Sequence, residues 1–309
     1  MENQVVQVTV TEGRTMSAVN TFENRFSTRD GIELRYRVWS PANPKIMVLL
    51  IHGAGEHIDI YKHLGHLFCE HDFAFITFDL RGFGCSGGKC GHVRRFEEYI
   101  HDLDQLIHYF RRKFGEIRCY LIGHSLGGLI VTRYIQEYPA PVDRIVLSAP
   151  AISLRFHIPS MIRWFIRFIS FSFPGFSINP YNLMKVAHRI PRLRSIVTYD
   201  VKNKLSDPFI ALRYSFRWLQ ELLNHKQIAC QSAEKVKIPT LCICGDNPTE
   251  ELRRFMDRVS VEEKQCVFLP DAGHNLLHPE KSSTVIQTLM QWFTPDAGTN
   301  HGSIRFPDT

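Results

Sequence analysis

The 309-residue sequence has no internal repeat, no low-complexity stretch and no strong excess of one charge. Thirty-seven Lys and Arg against 31 Asp and Glu leave a formal +6, well short of the basic stripe displayed by a nucleic-acid binder, so no nucleic-acid partner is expected. The opening Met-Glu-Asn-Gln-Val-Val-Gln lacks both the basic n-region and the apolar h-region of a secretory leader, and a cytoplasmic protein is expected. Eight cysteines then read as reduced, mostly buried thiols rather than as a disulfide frame. Cys242 and Cys244 form a C-x-C inside an apolar run and should point to one face of a strand. No second pair follows them at zinc-site spacing, so no metal is expected. No dinucleotide fingerprint or Walker loop follows the early strands, and no cofactor is expected.

What is present is ordinary for a folded chain: 44% hydrophobic and 22% charged residues, and length for one large or two small domains. Residues 22–27 and 32–39 read as strands around the turn Arg29-Asp30-Gly31. The continuous apolar run 46–51 suggests a strand buried on both faces, and 73–78 reads as the next buried strand. Further strands are expected at 118–122, 144–148, 240–244 and 265–269. Helical spacing marks about 59–71, 96–114, the stretch up to Tyr138, 249–259 and 281–293. This alternation means an α/β protein with a largely parallel sheet. Residues 1–20 and 295–309 read as loose tails, and 21–150 with 231–294 as the core.

Residues 151–230 interrupt the alternation and are too long for a plain crossover. They carry twelve basic and three acidic residues, a net +9, so the whole positive excess of the chain lies there. Within them, 161–171 is apolar nearly all round except for Arg163 and Arg167, too short and too charged to span a bilayer. It reads either as a cap helix packed on the body or as a lid that covers an apolar pocket and touches an anionic lipid surface.

The strongest chemical signal is Gly123-His124-Ser125-Leu126-Gly127, a G-x-S-x-G between a strand and a helix. In that setting the glycines permit a sharp turn that lifts the serine above the sheet edge, near the positive end of the helix. The base that such a nucleophile needs is His274, just beyond the last strand, with His278 a rival. The orienting acid should follow the strand 240–244. Asp246 is the first candidate there, with Glu250 and Glu251 as alternatives. The backbone N–H groups of Leu126 and Ala54 are the expected oxyanion donors. His52, Glu56 and His57 are expected to shape the loop that carries Ala54.

These residues resemble the α/β-hydrolase superfamily and, more closely, its monoacylglycerol lipase and lysophospholipase (serine aminopeptidase-like) family. The resemblance rests on His52-Gly53-Ala54-Gly55-Glu56-His57, Asp79-Leu80-Arg81-Gly82-Phe83-Gly84-Cys85-Ser86, Gly123-His124-Ser125-Leu126-Gly127-Gly128 and Ala272-Gly273-His274. It implies an eight-stranded, mostly parallel sheet with a helical lid between the sixth and seventh strands. It also implies a serine hydrolase for a lipid-like acyl ester, through an acyl-enzyme on Ser125. The same machinery serves thioesters or acyl transfer, and a chain lacking the acid would be a binding protein on the same fold. One departure stands out. The family carries its acid as the fourth residue of a Gly-x-x-Asp turn, and here that place is Pro248, with Asp246 two positions earlier.

Overall fold

The computed structural model describes residues 19–153, 160–179, 207–245, 249–270, 272–279 and 282–294. Eight strands make the main sheet: β1 (Asn20–Ser27), β2 (Glu33–Ser40), β3 (Ile46–Ile51), β4 (Phe73–Phe78), β5 (Arg118–His124), β6 (Arg144–Ser148), β9 (Thr240–Cys244) and β10 (Lys264–Phe268). β7 (Ser177–Ile178) and β8 (Tyr214–Ser215) form a separate short ladder. The main sheet runs in the order β1-β2-β4-β3-β5-β6-β9-β10. β1, β2 and β4 pair antiparallel, and every pairing from β4 to β10 is parallel. β3 and β4 are buried at every position, as befits strands covered on both faces, and the one polar side chain among them, Thr77, donates its hydroxyl to Leu50 O at 3.2 Å.

The helices divide between the two faces. α2 (Glu97–Phe114), α3 (Leu126–Glu137), α5 (Phe216–Gln231) and α6 (Glu250–Arg258) close the larger core, while α1 (Lys62–Cys69) and α7 (Ser282–Phe293) close the other. α2 illustrates why these segments are helical. Tyr99, Ile100, Leu103, Leu106, Ile107 and Phe110 recur at helical spacing and are all buried. Glu97 and Glu98 in its first turn and Arg111, Arg112 and Lys113 in its last oppose the helix dipole. The helix stops at Gly115, whose φ of +81° suits a residue without Cβ.

Between β6 and β9, the sixth and seventh strands of the main sheet, the described residues form α4 (Ser160–Ser172), the β7–β8 ladder and α5. α4 packs along α5 but buries only Ile166 and Ser170. Residues 154–159 and 180–206 of this insertion, 1–18 of the expected N-terminal tail and the C-terminal stretch 295–309 lie outside the described residues.

α1 sits unusually close to the sheet because Gly65 faces the buried Trp39 ring, and a Cβ added at Gly65 would collide with that ring. Gly65→Ala should therefore destabilise by overpacking, about 1–3 kcal/mol, measured by urea unfolding. A neutral or stabilising change would mean that Trp39 is free to move.

Candidate active site

β5 runs straight into Ser125, whose φ of +51° and ψ of −110° place a non-glycine residue in a region that side chains rarely occupy. The turn closes because its neighbours are glycine. A Cβ at Gly123 would strike the Gly127 carbonyl, and one at Gly127 would strike the Ile51 carbonyl at the end of β3. Three backbone hydrogen bonds hold the strained serine: its N–H donates to Ser148 O at 2.9 Å, and its carbonyl accepts from Ala151 N at 2.8 Å and from Leu129 N at 3.3 Å. α3 begins at Leu126, so that residue's N–H belongs to the first turn, where amides have no intrahelical acceptor.

Ser125 Oγ lies 3.0 Å from His274 Nε2. His274 comes from the loop after β10, and its ring lies 5.2 Å, centroid to centroid, from that of His124. A second contact fixes this loop. Gly245, just past β9, packs so tightly on the Gly273 backbone that a Cβ there would overlap the Gly273 carbonyl. The turn that starts after β9 is thus set directly against the histidine loop. Asp246 itself lies outside the described residues. Its alternatives open α6, where the Thr249 hydroxyl accepts from Leu252 N. Glu250 bonds Arg254 and Glu251 bonds Lys226, with both carboxylate side chains more than half exposed, at 66% and 59%. His278 is drawn elsewhere, with Nε2 3.7 Å from Glu56 Oε1.

The loop after β3 is shaped from beneath by buried polar groups. His52 Nε2 accepts from Leu80 N at 2.9 Å, which leaves the proton on Nδ1 to donate to Gly53 O at 2.7 Å. Burial holds the His52 pKa below its ordinary value, in keeping with that neutral ring. Glu56 accepts from Gly53 N at 2.7 Å and from the Tyr61 hydroxyl at 2.6 Å. Burial alone would raise the Glu56 carboxyl, but the His124 and His278 rings and the Tyr61 hydroxyl hold it well below the usual carboxylate range. The loop after β4 joins the same frame. Asp79 accepts from Ile58 N at 2.7 Å and Cys85 N at 2.8 Å, while Arg81 is held by Asp102 and Asp30. From above, the returning end of the insertion presses on this loop: Ala211 N donates to Gly55 O at 3.1 Å, and His57 Nε2 meets Asp207 at 2.9 Å.

The sequence points to the loop-shaping of His52, Glu56 and His57 but not to their partners. Asp207 is 150 residues from His57, and Tyr61 reads as one apolar position among several. The one signal was Glu56 itself, an acid in a glycine-rich loop between apolar elements.

A mostly parallel eight-stranded sheet, with a serine on a strained strand-to-helix turn and a histidine after the last strand, defines an α/β-hydrolase. The chain belongs to the Hydrolase_4 family, described as serine aminopeptidase, S33, whose profile matches residues 42–281. It is 32% identical over 274 residues to the monoglyceride lipase of Mus musculus, covering 85% of this chain and 87% of that protein. It is 26% identical over 276 residues to the monoacylglycerol lipase of Mycolicibacterium smegmatis, covering 87% and 96%. Lysophospholipase L2 of Escherichia coli K12 is 24% identical over 269 residues, covering 82% and 76%. Among solved structures, Paleococcus ferrophilus monoacylglycerol lipase superposes with a TM-score of 0.67 at 26% identity, covering 88% of this chain and 98% of that one. The expected family and fold class are thus correct, and the chain is a hydrolase of this family.

Glu56→Ala should cost about 3–5 kcal/mol, because it leaves Gly53 N–H and the Tyr61 hydroxyl buried without their acceptor. The folded-state pKa of Glu56 is depressed, so its contribution is complete above the unfolded value of about 4.3 and is lost as pH falls through the lower folded value. Urea unfolding at neutral and acidic pH should show the gap between wild type and variant narrowing on acidification. A variant as stable as wild type at neutral pH would contradict this account.

Proposed function

We propose that the protein is a serine hydrolase that cleaves a carboxylic ester of a lipid-like acyl substrate, of the monoacylglycerol or lysophospholipid class, through an acyl-enzyme on Ser125. The observation that carries this reading is the 3.0 Å contact between Ser125 Oγ and His274 Nε2 on a strained, glycine-framed turn. The names of the relatives supply the substrate class. Ser125 Oγ attacks the ester carbonyl while His274 takes its proton, and the Ala54 and Leu126 N–H groups receive the developing oxyanion. Collapse expels the alcohol, which leaves with the proton from His274. Water then attacks the acyl-enzyme, gives its proton to His274, and the acid departs as Ser125 is restored. Asp246 orients the imidazole. This role is supported by the packing of Gly245 on Gly273 and by the surface ion pairs of Glu250 and Glu251.

Residues 151–230 serve as the lid in this reading, and α4 is its lipid-facing part. Met161, Trp164 and Phe171 are 77%, 65% and 83% exposed, an apolar display that water alone does not favour. Arg163 and Arg167 line a cleft of about 1150 Å³ between α4, α5 and α6, whose far wall carries the ion-paired Lys226 and Glu251. Two Arg beside an exposed apolar helix suit an anionic lipid surface, each worth about 1 kcal/mol near such a membrane.

Ser125→Ala should abolish fluorophosphonate labelling and lower kcat on p-nitrophenyl acyl esters by on the order of 10⁶. Asp246→Asn should lower kcat by about 10⁴, while Glu250→Gln and Glu251→Gln stay within about tenfold. Near-normal turnover in Ser125→Ala would remove the nucleophile. A large defect confined to Glu250→Gln or Glu251→Gln would move the acid.

Trp164→Ala combined with Phe171→Ala should weaken sedimentation with phosphatidylserine-containing vesicles by at least about tenfold, a loss of about 1.4 kcal/mol or more. Charge reversal at Arg163 and Arg167 should weaken binding to those vesicles but not to uncharged ones. Vesicle binding unchanged in both pairs would leave α4 as a cap and nothing more.

A further inference from the structure

Three thiols converge at the edge of the sheet that ends in β10. Cys242 and Cys244 share one face of β9, and Cys266 lies on β10 in register opposite Cys242. All three are buried, with Cys244 5% and Cys266 1% exposed. The Cys242 and Cys244 sulfurs are 3.8 Å apart, and all three sulfurs lie within 4.8 Å of one another. Sequence spacing hides this group, because its third member is 22 residues beyond Cys244 and joins the pair only through parallel strand pairing.

We propose that Cys242, Cys244 and Cys266 form a trithiolate site for a three-coordinate thiophilic centre, and that trivalent arsenic is the occupant whose chemistry fits it. Geometry is the first reason. A pyramidal three-coordinate centre with bonds of about 2.3 Å holds its sulfurs about 3.5 Å apart, so the 3.8 Å Cys242–Cys244 pair nearly fits as it stands and the Cys266 sulfur moves inward to join it. Charge is the second. The cluster belongs to the same apolar core as Leu252, Phe255 and Met256, where a net charge is costly to bury. Three thiolates leave Zn(II) with net −1 and Cu(I) with net −2, whereas with As(III) the complex is neutral. Zn(II) also seeks a fourth ligand, and the group in the described residues has three sulfurs.

The exchange balances without any change of oxidation state. Arsenous acid, As(OH)₃, reacts with three Cys S–H groups. Three As–O and three S–H bonds break, three As–S and three O–H bonds form, and three waters leave with the thiol protons. Access runs through β10, an edge strand whose local opening exposes Cys266 without dismantling the sheet. The site does not depend on the hydrolytic reading, and neither does its test.

The full chain is incubated with arsenite and weighed by native mass spectrometry. One adduct is expected, heavier by one arsenic atom less three hydrogens. Peptide mapping after alkylation in a brief urea pulse should show arsenite protecting Cys242, Cys244 and Cys266 but not the more accessible Cys85 and Cys90. Cys266→Ser should weaken arsenite binding by at least about 100-fold, while Cys90→Ser leaves it unchanged. The proposal is overturned by the lack of an adduct, by an adduct that displaces fewer than three hydrogens, by protection at Cys85 or Cys90, or by undiminished binding in Cys266→Ser. If that variant fails to fold, the wild-type protection map decides alone.

Discussion

Everything at the candidate site hangs on holding one serine in a backbone conformation that serine does not favour. A non-glycine residue in that region costs on the order of 1–3 kcal/mol, and it persists only where its surroundings leave no alternative. Here the surroundings are backbone. The ends of β3 and β5 and the start of α3 meet through Gly123 and Gly127 with no room for a side chain, and Ser148 and Ala151 fix the serine amide and carbonyl. The same contact that strains Ser125 therefore brings the loop after β3 to the mouth of α3. Ser125 and the Gly-rich loop beside it are positioned by one packing event.

That loop is held by buried charge rather than by apolar contact. Glu56 and Asp79 each accept backbone N–H groups, an arrangement strong enough to offset part of the cost of burying a carboxylate. Because His52 bridges the loops after β3 and β4, and Asp207 and Ala211 reach down from the insertion, the loop is clamped on both sides. A change in the insertion's returning segment is therefore felt directly by the loop that would bind the oxyanion.

The insertion is a different kind of structure from the sheet. The central strands β3, β4, β5, β6 and β9 bury nearly every side chain, whereas α4 buries two residues and leaves a row of large apolar ones in the open. Its tie to the body runs through α5, whose Trp218 and Leu222 enter the main core. Such a helix gains little from its own packing and has most to gain from an apolar partner, which is the physical ground for proposing a lipid surface as that partner.

Read alone, the sequence was enough for the order of strands and helices, for the parallel character of the sheet and for the serine on its turn. Each of these is local: an apolar run, a helical spacing, two glycines around one serine. It also placed His274 after the last strand, because parallel strands gather the loops at their carboxyl ends. Tertiary structure alone decided what depends on long-range packing. It set Gly245 against Gly273, drew Glu251 to Lys226, paired His57 with Asp207, and gathered Cys266 with Cys242 and Cys244. None of these leaves a mark in spacing along the chain, because strand register and loop packing, not sequence separation, bring the groups together.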